Sequence, residues 1–228
     1  METVLTFLRE LKKNNAREWF QENKDWYQEA KIAFEDIVAE TIKEISAFDN
    51  DIGLLSPKDC VFRIYRDVRF SKNKDPYKTH MGAAFCKGGR KSGYAGYYIH
   101  VDPDASFSGG GIWQPEPVIL KSIRYEILHF PGEFKKIIGE KSFYERFGQM
   151  NGEKLKRPPK DFPKDFEDIE LLKYKNYIVG NDIHQDKLTS DGFLPFVVDS
   201  FQIMSPFIGF LNRCVDHEKK RSFDETYR

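Results

Sequence analysis

Six basic side chains crowd into one short segment of this chain, RIYRDVRFSKNKDPYKTH (63–80), with only two acids, Asp67 and Asp75, beside them. The basic residues are Arg63, Arg66, Arg69, Lys72, Lys74 and Lys78. Guanidinium groups bind carboxylates and phosphates through paired hydrogen bonds, so three arginines with so few acids leave donors for a ligand. The segment therefore predicts a site for a phosphate-bearing or other anionic small molecule.

This predicted site combines charged side chains, a hydroxyl and a glycine-rich loop, SGGGIW (108–113), whose backbone N–H groups can approach a phosphate. Its ligand-binding residues are Arg63, Arg66, Arg69, Lys74, Tyr77, Gly109 and Gly110. Asp67 would orient the arginines or act as a general base. In the alternative, the arginines form structural ion pairs with internal carboxylates, and the glycines only let another backbone or Trp113 pack closely.

A second group of candidates is His100 with Asp102 two residues further on. On a strand the two share a face with Tyr98, and His80 can join them from a neighbouring strand. Such a group can transfer protons or supply metal ligands. Because no HExxH or other established histidine spacing is present, we predict a hydrogen-bonded structural histidine and no metal site, with His100 as a reserve acid–base catalyst.

These side chains must be positioned by the secondary structure around them, and the first predicted elements along the chain are helices. Apolar residues at helical spacing predict helices over 3–13 and from about 25 to 47. In CVFRIYRDVRF (60–70) the apolar residues alternate instead, which predicts a strand, and Arg66 falls on its apolar face. A bulge that rotates Arg66 outward and a buried partner for it both remain open. Three further strands are predicted at 80–86, 94–101 and 105–113.

Beyond Trp113 the pattern becomes helical again. Residues 151–168 are rich in Pro, Lys and Asp and predict a surface loop, a strand follows near 174–179, and the chain is helical from Ser190. We therefore predict an α+β fold in which helices pack on a central antiparallel sheet, with the meander at about 60–113. We expect a single domain over 1–228, with a helical region over 1–50, the sheet at 58–113 and a second helical region over 114–228.

The composition limits the function. Thirty-six basic and 36 acidic residues give a net charge of zero among 228 residues, so no global field draws the chain to nucleic acid or anionic lipid, and any attraction for anions is local. No apolar run approaches the length of a membrane span, and the N-terminus lacks the pattern of a signal peptide. Three widely spaced cysteines fit a reducing compartment, so we expect a cytoplasmic protein. No residue pattern identifies a cofactor or an oligomeric state.

Several segments together carry a family resemblance. Arg63, Arg66-Asp67, Arg69-Phe70, Asn73-Lys74 and Tyr77 form the core of the pattern, and NNAREWF (14–20) and GYYIHVDP (96–103) extend it. The chain resembles a widespread bacterial family, with some fungal members, known only as a domain of unknown function. Members are about as long as this chain. The resemblance implies no activity and no catalytic residues.

The function prediction therefore depends on the residues themselves. We expect a protein that binds a phosphate-bearing or other anionic small molecule, with transfer or hydrolysis at a phosphate ester as the reaction class if it is an enzyme. The alternative is a non-catalytic nucleic-acid or protein-binding module in which the arginines are structural ion pairs. The neutral overall charge disfavours nucleic acid as the partner.

Overall fold

The computed structural model describes the backbone of residues 1–226 and the side chains of residues 1–221. The chain forms two compact units. Unit 1 comprises Met1–Arg90, Tyr98–Ser108 and Asp182–Asp199, and unit 2 comprises Lys91–Tyr97, Gly109–Asn181 and Ser200–Arg228. The expectation of a single domain stays a prediction.

The strands form one four-stranded antiparallel sheet, whose order follows the chain, β1-β2-β3-β4. The strands are β1 (Met81–Cys86), β2 (Gly96–Val101), β3 (Phe107–Ile112) and β4 (Tyr177–Asp182). The first three are short and joined by glycine-rich or Pro-containing turns, as a meander requires. The predicted α+β class, with helices from both ends of the chain packed on an antiparallel sheet, is confirmed.

Helices at the N-terminus supply the core of unit 1. They are α1 (Glu2–Lys13), α2 (Arg17–Glu22), α3 (Lys24–Ile45) and the short α4 (Pro57–Cys60). The apolar stripe of α3 is buried at Tyr27, Phe34 and Val38, as its periodicity predicts, and α3 packs on α1 and β1. The α4 turn begins with a capping arrangement in which Asp59 accepts hydrogen bonds from the Ser56 backbone N–H and hydroxyl.

Helices of the C-terminal half build unit 2. They are α5 (Pro117–His129), α6 (Pro131–Gly139), α7 (Lys141–Phe147) and α8 (Ile169–Leu172). A short α9 (Gln185–Leu188) precedes α10 (Phe193–Thr226). The loop 151–168 contains no helix or regular strand, in agreement with its composition. Pro206 lies inside α10 and does not divide it into two helices.

One described helix, Phe193–Arg221, is long and apolar enough to cross a membrane by length and composition alone. Its side chains at Val197, Phe201, Met204 and Phe207 are fully buried within the protein. A core helix passes the same test, so this is weak evidence for a membrane span.

The segment 60–70 differs from its predicted form. It makes only isolated antiparallel bridges, Val61 with Ala83 and Tyr65 with Tyr77, and the prediction of a regular strand there was wrong. Four peptide steps separate Val61 from Tyr65, whereas six separate Tyr77 from Ala83. The second segment therefore carries two extra residues within 78–82, and this excess breaks the ladder, as a bulge does.

Candidate functional site

The side chain of Asn15 holds the backbone of Tyr77, just before the stretch 78–82 that contains the two extra residues. We call this contact between Asn15 and Tyr77 the Asn15 clamp. The Asn15 amide donates to the Tyr77 carbonyl at 3.0 Å and accepts from the Tyr77 N–H at 3.1 Å. The Tyr77 ring lies flat on Phe20, with centroids 3.9 Å apart, and is buried. Burial raises the pKa of the Tyr77 hydroxyl. Tyr77 thus anchors the segment that carries Lys78 and His80.

The arginines of the basic segment have different partners. Arg69 binds Asp67 through two hydrogen bonds, Nε to Oδ1 at 3.0 Å and Nη2 to Oδ2 at 2.7 Å. These bonds hold the pKa of Asp67 below its usual range, so the carboxylate stays ionised and is a weaker base. Arg66 donates to the Asp75 carbonyl at 3.1 Å and the Ser71 hydroxyl at 3.4 Å. Each of these two arginines therefore uses two of its guanidinium nitrogens within the loop itself.

Lys74 also stabilises this loop, because its ammonium donates to the Val68 carbonyl at 3.0 Å. Phe70, which follows Arg69 directly in this loop, is 96% exposed. The Arg69 guanidinium carbon lies 5.8 Å from the centroid of the Phe70 ring. The tip of the loop is thus an exposed aromatic side chain beside cations.

Lys78 is the half-buried cation of the segment. Its ammonium lies 5.5 Å from the centroid of the Phe62 ring, and it has no hydrogen bond or ion pair with any side chain among residues 1–221. Burial, and then the charge of Arg63, lower the pKa of Lys78. Arg63 is exposed and likewise has no hydrogen bond or ion pair of its side chain in the region that the structure describes, although its charge acts on Asp67. These two cations are consequently available to an anion.

His80 and His100 lie side by side next to Lys78. Their ring centroids are 4.2 Å apart, with the planes tilted by 33°. Burial lowers the pKa of both imidazoles, that of His80 to about 4, and the charge of Lys78 acts in the same direction on each. Both rings are neutral at pH 7, so each can accept a proton or donate a lone pair to a metal ion. The suggestion that His80 joins His100 across the meander agrees with this geometry.

The orientation of His100 is fixed by its neighbours on the sheet. The Tyr98 hydroxyl lies 3.0 Å from His100 Nδ1, and the Phe107 ring stacks on the imidazole with centroids 4.8 Å apart. A Cβ atom on Gly82 would lie 2.5 Å from the Tyr98 hydroxyl oxygen, so the glycine makes room for that oxygen. Burial raises the pKa of Tyr98 to about 12, so the phenol is neutral.

Asp102 completes the group. One ligand atom from each of His80, His100 and Asp102 lies within 4.8 Å of the other two. Asp102 Oδ1 accepts the Asp104 N–H at 2.9 Å in the turn after β2, which fixes the carboxylate and leaves Oδ2 without a protein partner among the described residues. The structure thus assembles two imidazoles and a carboxylate, a set that can bind a divalent cation.

Gly109 and Gly110 of the predicted phosphate loop have packing roles. Both glycines belong to unit 2. A Cβ on Gly109 would lie 2.5 Å from the Val179 carbonyl oxygen, and one on Gly110 would lie 2.5 Å from the Met204 sulfur. The absence of side chains at Gly109 and Gly110 therefore permits close approach of a neighbouring backbone and of α10, which is the alternative raised from the sequence.

The three cysteines do not contribute to this site chemically. Cys60, Cys86 and Cys214 are free and buried. Burial raises the pKa values of their thiols to about 12, 11 and 12 respectively. These thiols are protonated at neutral pH and are poor nucleophiles.

Sequence reasoning missed several residues that shape the site. Asn15 is one of them, and nothing in its local sequence indicates a partner 62 residues away. Lys78 was counted in the basic cluster but not among the binding residues. Gly82 carried a usable signal, because a glycine inside a strand often marks close approach of another group.

Comparison with known proteins identifies one family. The family described as Conserved hypothetical protein (DUF2461) matches residues 3–210, which is most of the chain. No curated protein and no solved structure matches.

Proposed function

Because the chain belongs to the DUF2461 family, whose description assigns no activity, we propose a function from the site itself: the protein binds a phosphate-bearing small molecule through Lys78 and Arg63. The observation that carries the proposal is the half-buried Lys78 ammonium, which has no anionic partner among the described residues. A cation withdrawn from water loses solvation energy, and an anionic ligand would restore it.

The surroundings of Lys78 favour an anion over any other ligand. Arg63 and Arg66 add positive charge, the first acting on Lys78 and the second on His80. Asp102 is the carboxylate whose charge acts on both histidines. Asp67 is already bound by Arg69. Phosphate, with several acceptor oxygens and up to two charges, matches such a set of donors.

The proposal uses fewer residues than the sequence suggested. Arg69 and Lys74 are engaged within the loop, Tyr77 is buried, and Gly109 and Gly110 pack against neighbouring groups. Arg66 also donates within its own loop, so Arg63 and Lys78 are the cations that we assign to ligand binding. Hydrolysis or transfer at a phosphate ester is the reaction class to assay first, in a protein that we expect to be cytoplasmic.

The test is a thermal-shift screen with inorganic phosphate, nucleotides and sugar phosphates at constant ionic strength and in the presence of EDTA. Wild type should be stabilised by at least one of these compounds. Lys78→Gln should weaken the binding by roughly 10- to 150-fold, the equivalent of one charge-assisted hydrogen bond of about 1.5–3 kcal/mol.

Lys72→Gln is the matched control, because Lys72 is an exposed lysine of the same segment. It should bind as wild type does. Equal affinities in wild type and Lys78→Gln, or no stabilisation by any of the phosphates, would contradict the proposal.

A second candidate function is non-catalytic binding of single-stranded nucleic acid at the loop tip. The observation that favours it is the 96% exposed Phe70 beside Arg69, because bases stack on exposed aromatic rings next to cations. Phe70→Ala should then weaken binding of a short single-stranded oligonucleotide, with a steep dependence on salt. Under the small-molecule proposal this variant binds phosphates normally.

A further inference from the structure

The cluster of His80, His100 and Asp102 supports a metal site that the sequence did not predict. The two histidines come from neighbouring chain segments, His80 immediately before β1 and His100 on β2, and Asp102 follows β2 directly. All three belong to unit 1. We propose that these residues bind one divalent first-row transition-metal ion, of the class of Zn²⁺ and Fe²⁺. Two imidazoles and one carboxylate suit those ions, whereas Mg²⁺ and Ca²⁺ prefer oxygen ligands alone.

The spacing of the ligand atoms is close to what such an ion needs. Bond lengths of about 2.0–2.2 Å place two ligand atoms of a tetrahedral ion roughly 3.3 Å apart. The atoms here lie within 4.8 Å of one another, and a rotation of the His80 side chain, which has no hydrogen bond among the described residues, would bring its nitrogen closer to the other two. Asp102 Oδ2 can bind the ion without the loss of a hydrogen bond, because the Asp104 N–H donates only to Oδ1.

His100 is already oriented as a ligand. Its Nδ1 is engaged by the Tyr98 hydroxyl, which leaves Nε2 for the ion. When Nε2 binds the ion, Nδ1 carries the proton and donates it to the Tyr98 oxygen, which is the arrangement that metal-binding histidines generally adopt. Phe107 and Gly82 support this orientation, the first by stacking on the imidazole and the second by admitting the tyrosine hydroxyl.

Three protein ligands leave at least one coordination position for water or a substrate atom. An anion in that position would also meet the charge of Lys78, which acts on both histidines. The metal site and the anion site can therefore bind one ligand between them. The metal site itself does not depend on the proposed anion binding.

The experiment is a titration of the full, untagged chain with Co²⁺ in the presence of a competing chelator, followed through the visible absorption of the bound ion. We expect one ion per chain. Asp102→Asn and His80→Ala should each weaken binding by about 100-fold, because the first replaces a charged carboxylate ligand with a neutral amide and the second removes an imidazole ligand.

His184→Ala is the control, since His184 is an exposed histidine in the same unit that lies outside the cluster. It should bind Co²⁺ like wild type. Asp102→Asn preserves the shape of the side chain, so it tests the site even if His80→Ala fails to fold. Affinities of Asp102→Asn equal to wild type, or no stoichiometric binding by wild type, would overturn the proposal.

The two proposals fail separately in these assays. Phosphate binding is measured with EDTA present, and Co²⁺ binding is measured without phosphate. Loss of Co²⁺ binding in Asp102→Asn with normal phosphate binding supports the metal site alone.

Discussion

At the residue scale, the Tyr98 hydroxyl determines which nitrogen of His100 can meet a ligand. It lies 3.0 Å from Nδ1, in a pocket where a side chain on Gly82 would collide with it. A neutral phenol both accepts and donates, so it can adapt to either tautomer of the imidazole. Tyr98 is therefore a positioning residue that acts on the proposed ion through His100.

Tyr98→Phe tests this role with the ring retained. We expect the Co²⁺ affinity to fall by about 10- to 100-fold, the usual effect of losing a hydrogen bond to a metal-binding histidine. In wild type loaded with Zn²⁺, ¹⁵N NMR should show the proton of His100 on Nδ1. Tyr65→Phe, which changes a half-exposed tyrosine in the same unit, should leave the affinity unchanged. Normal metal affinity in Tyr98→Phe would show that the hydroxyl does not position the ligand.

The sequence predicts which residues lie close together at the candidate site better than it predicts the interaction partner of each one. Strand alternation placed Tyr98, His100 and Asp102 on one face, and that follows directly from the period of a strand. Strand alternation does not predict which group each cation binds. Asp67 Oδ1 accepts both the backbone N–H and the Nε of Arg69 two residues on, whereas Lys78 has no ion pair with any described residue. Those outcomes depend on loop geometry that composition does not contain.

At the element scale, the Asn15 clamp satisfies the edge of Tyr77 that faces away from the segment 60–70. The bridge between Tyr65 and Tyr77 is made by the Arg66 N–H to the Pro76 carbonyl and the Lys78 N–H to the Ile64 carbonyl, so the N–H and carbonyl of Tyr77 point to the other side. There the amide of Asn15 satisfies both groups. The connection between α1 and α2 thereby holds the start of the stretch that carries Lys78 and His80.

Asn15→Ala should lower the free energy of unfolding by about 1–3 kcal/mol, because it removes two hydrogen bonds and leaves two part-buried backbone groups unsatisfied. For a chain of this size the Tm falls by roughly 2–4 °C per kcal/mol. Chemical denaturation measures the energy directly. Asn14→Ala is the control, since the Asn14 side chain makes one hydrogen bond within its own turn, to the Glu10 carbonyl. Equal destabilisation by the two variants would contradict the role of the clamp.

The strand prediction for 60–70 failed for an identifiable reason. Alternation describes which residues share a face, but it does not reveal that the opposing segment has two residues too many between Tyr77 and Ala83. The strands at 81–86, 96–101 and 107–112 were predictable because short apolar runs are separated by connections rich in Gly or containing Pro, at 87–95 and 102–106. The irregular stretch 78–82 carries two of the functional candidates, Lys78 and His80, and functional residues are common where local rules fail.

At the scale of the whole molecule, an ion that binds only the folded protein must stabilise it. At a free concentration 100 times its Kd, the ion adds about 2.7 kcal/mol to the free energy of unfolding. We therefore expect Zn²⁺ or Co²⁺ to raise the Tm of wild type by roughly 5–11 °C, and EDTA to reverse the increase. Differential scanning calorimetry measures the shift. Asp102→Asn should show none of it; an equal increase in both proteins would place the bound ion elsewhere.

The fold class was predictable from the spacing of apolar residues along the chain. This spacing is first helical, then alternating as in strands, and then helical again. The long helix α10 and the loop 151–168 also followed from composition. The division of the residues into two compact units did not. It depends on contacts between segments distant in sequence, and a single sequence contains no direct signal for those.

The Asn15 clamp also sets when the candidate site can form during folding. Its two residues are 62 positions apart, so closing that loop costs roughly 4 kcal/mol of chain entropy plus a constant before either hydrogen bond forms. Contacts of such long range form late unless other interactions close the loop first. Lys78 and His80 should therefore reach their native positions only after α1 and α3 have packed, and a nascent chain would acquire its ligands near the end of folding.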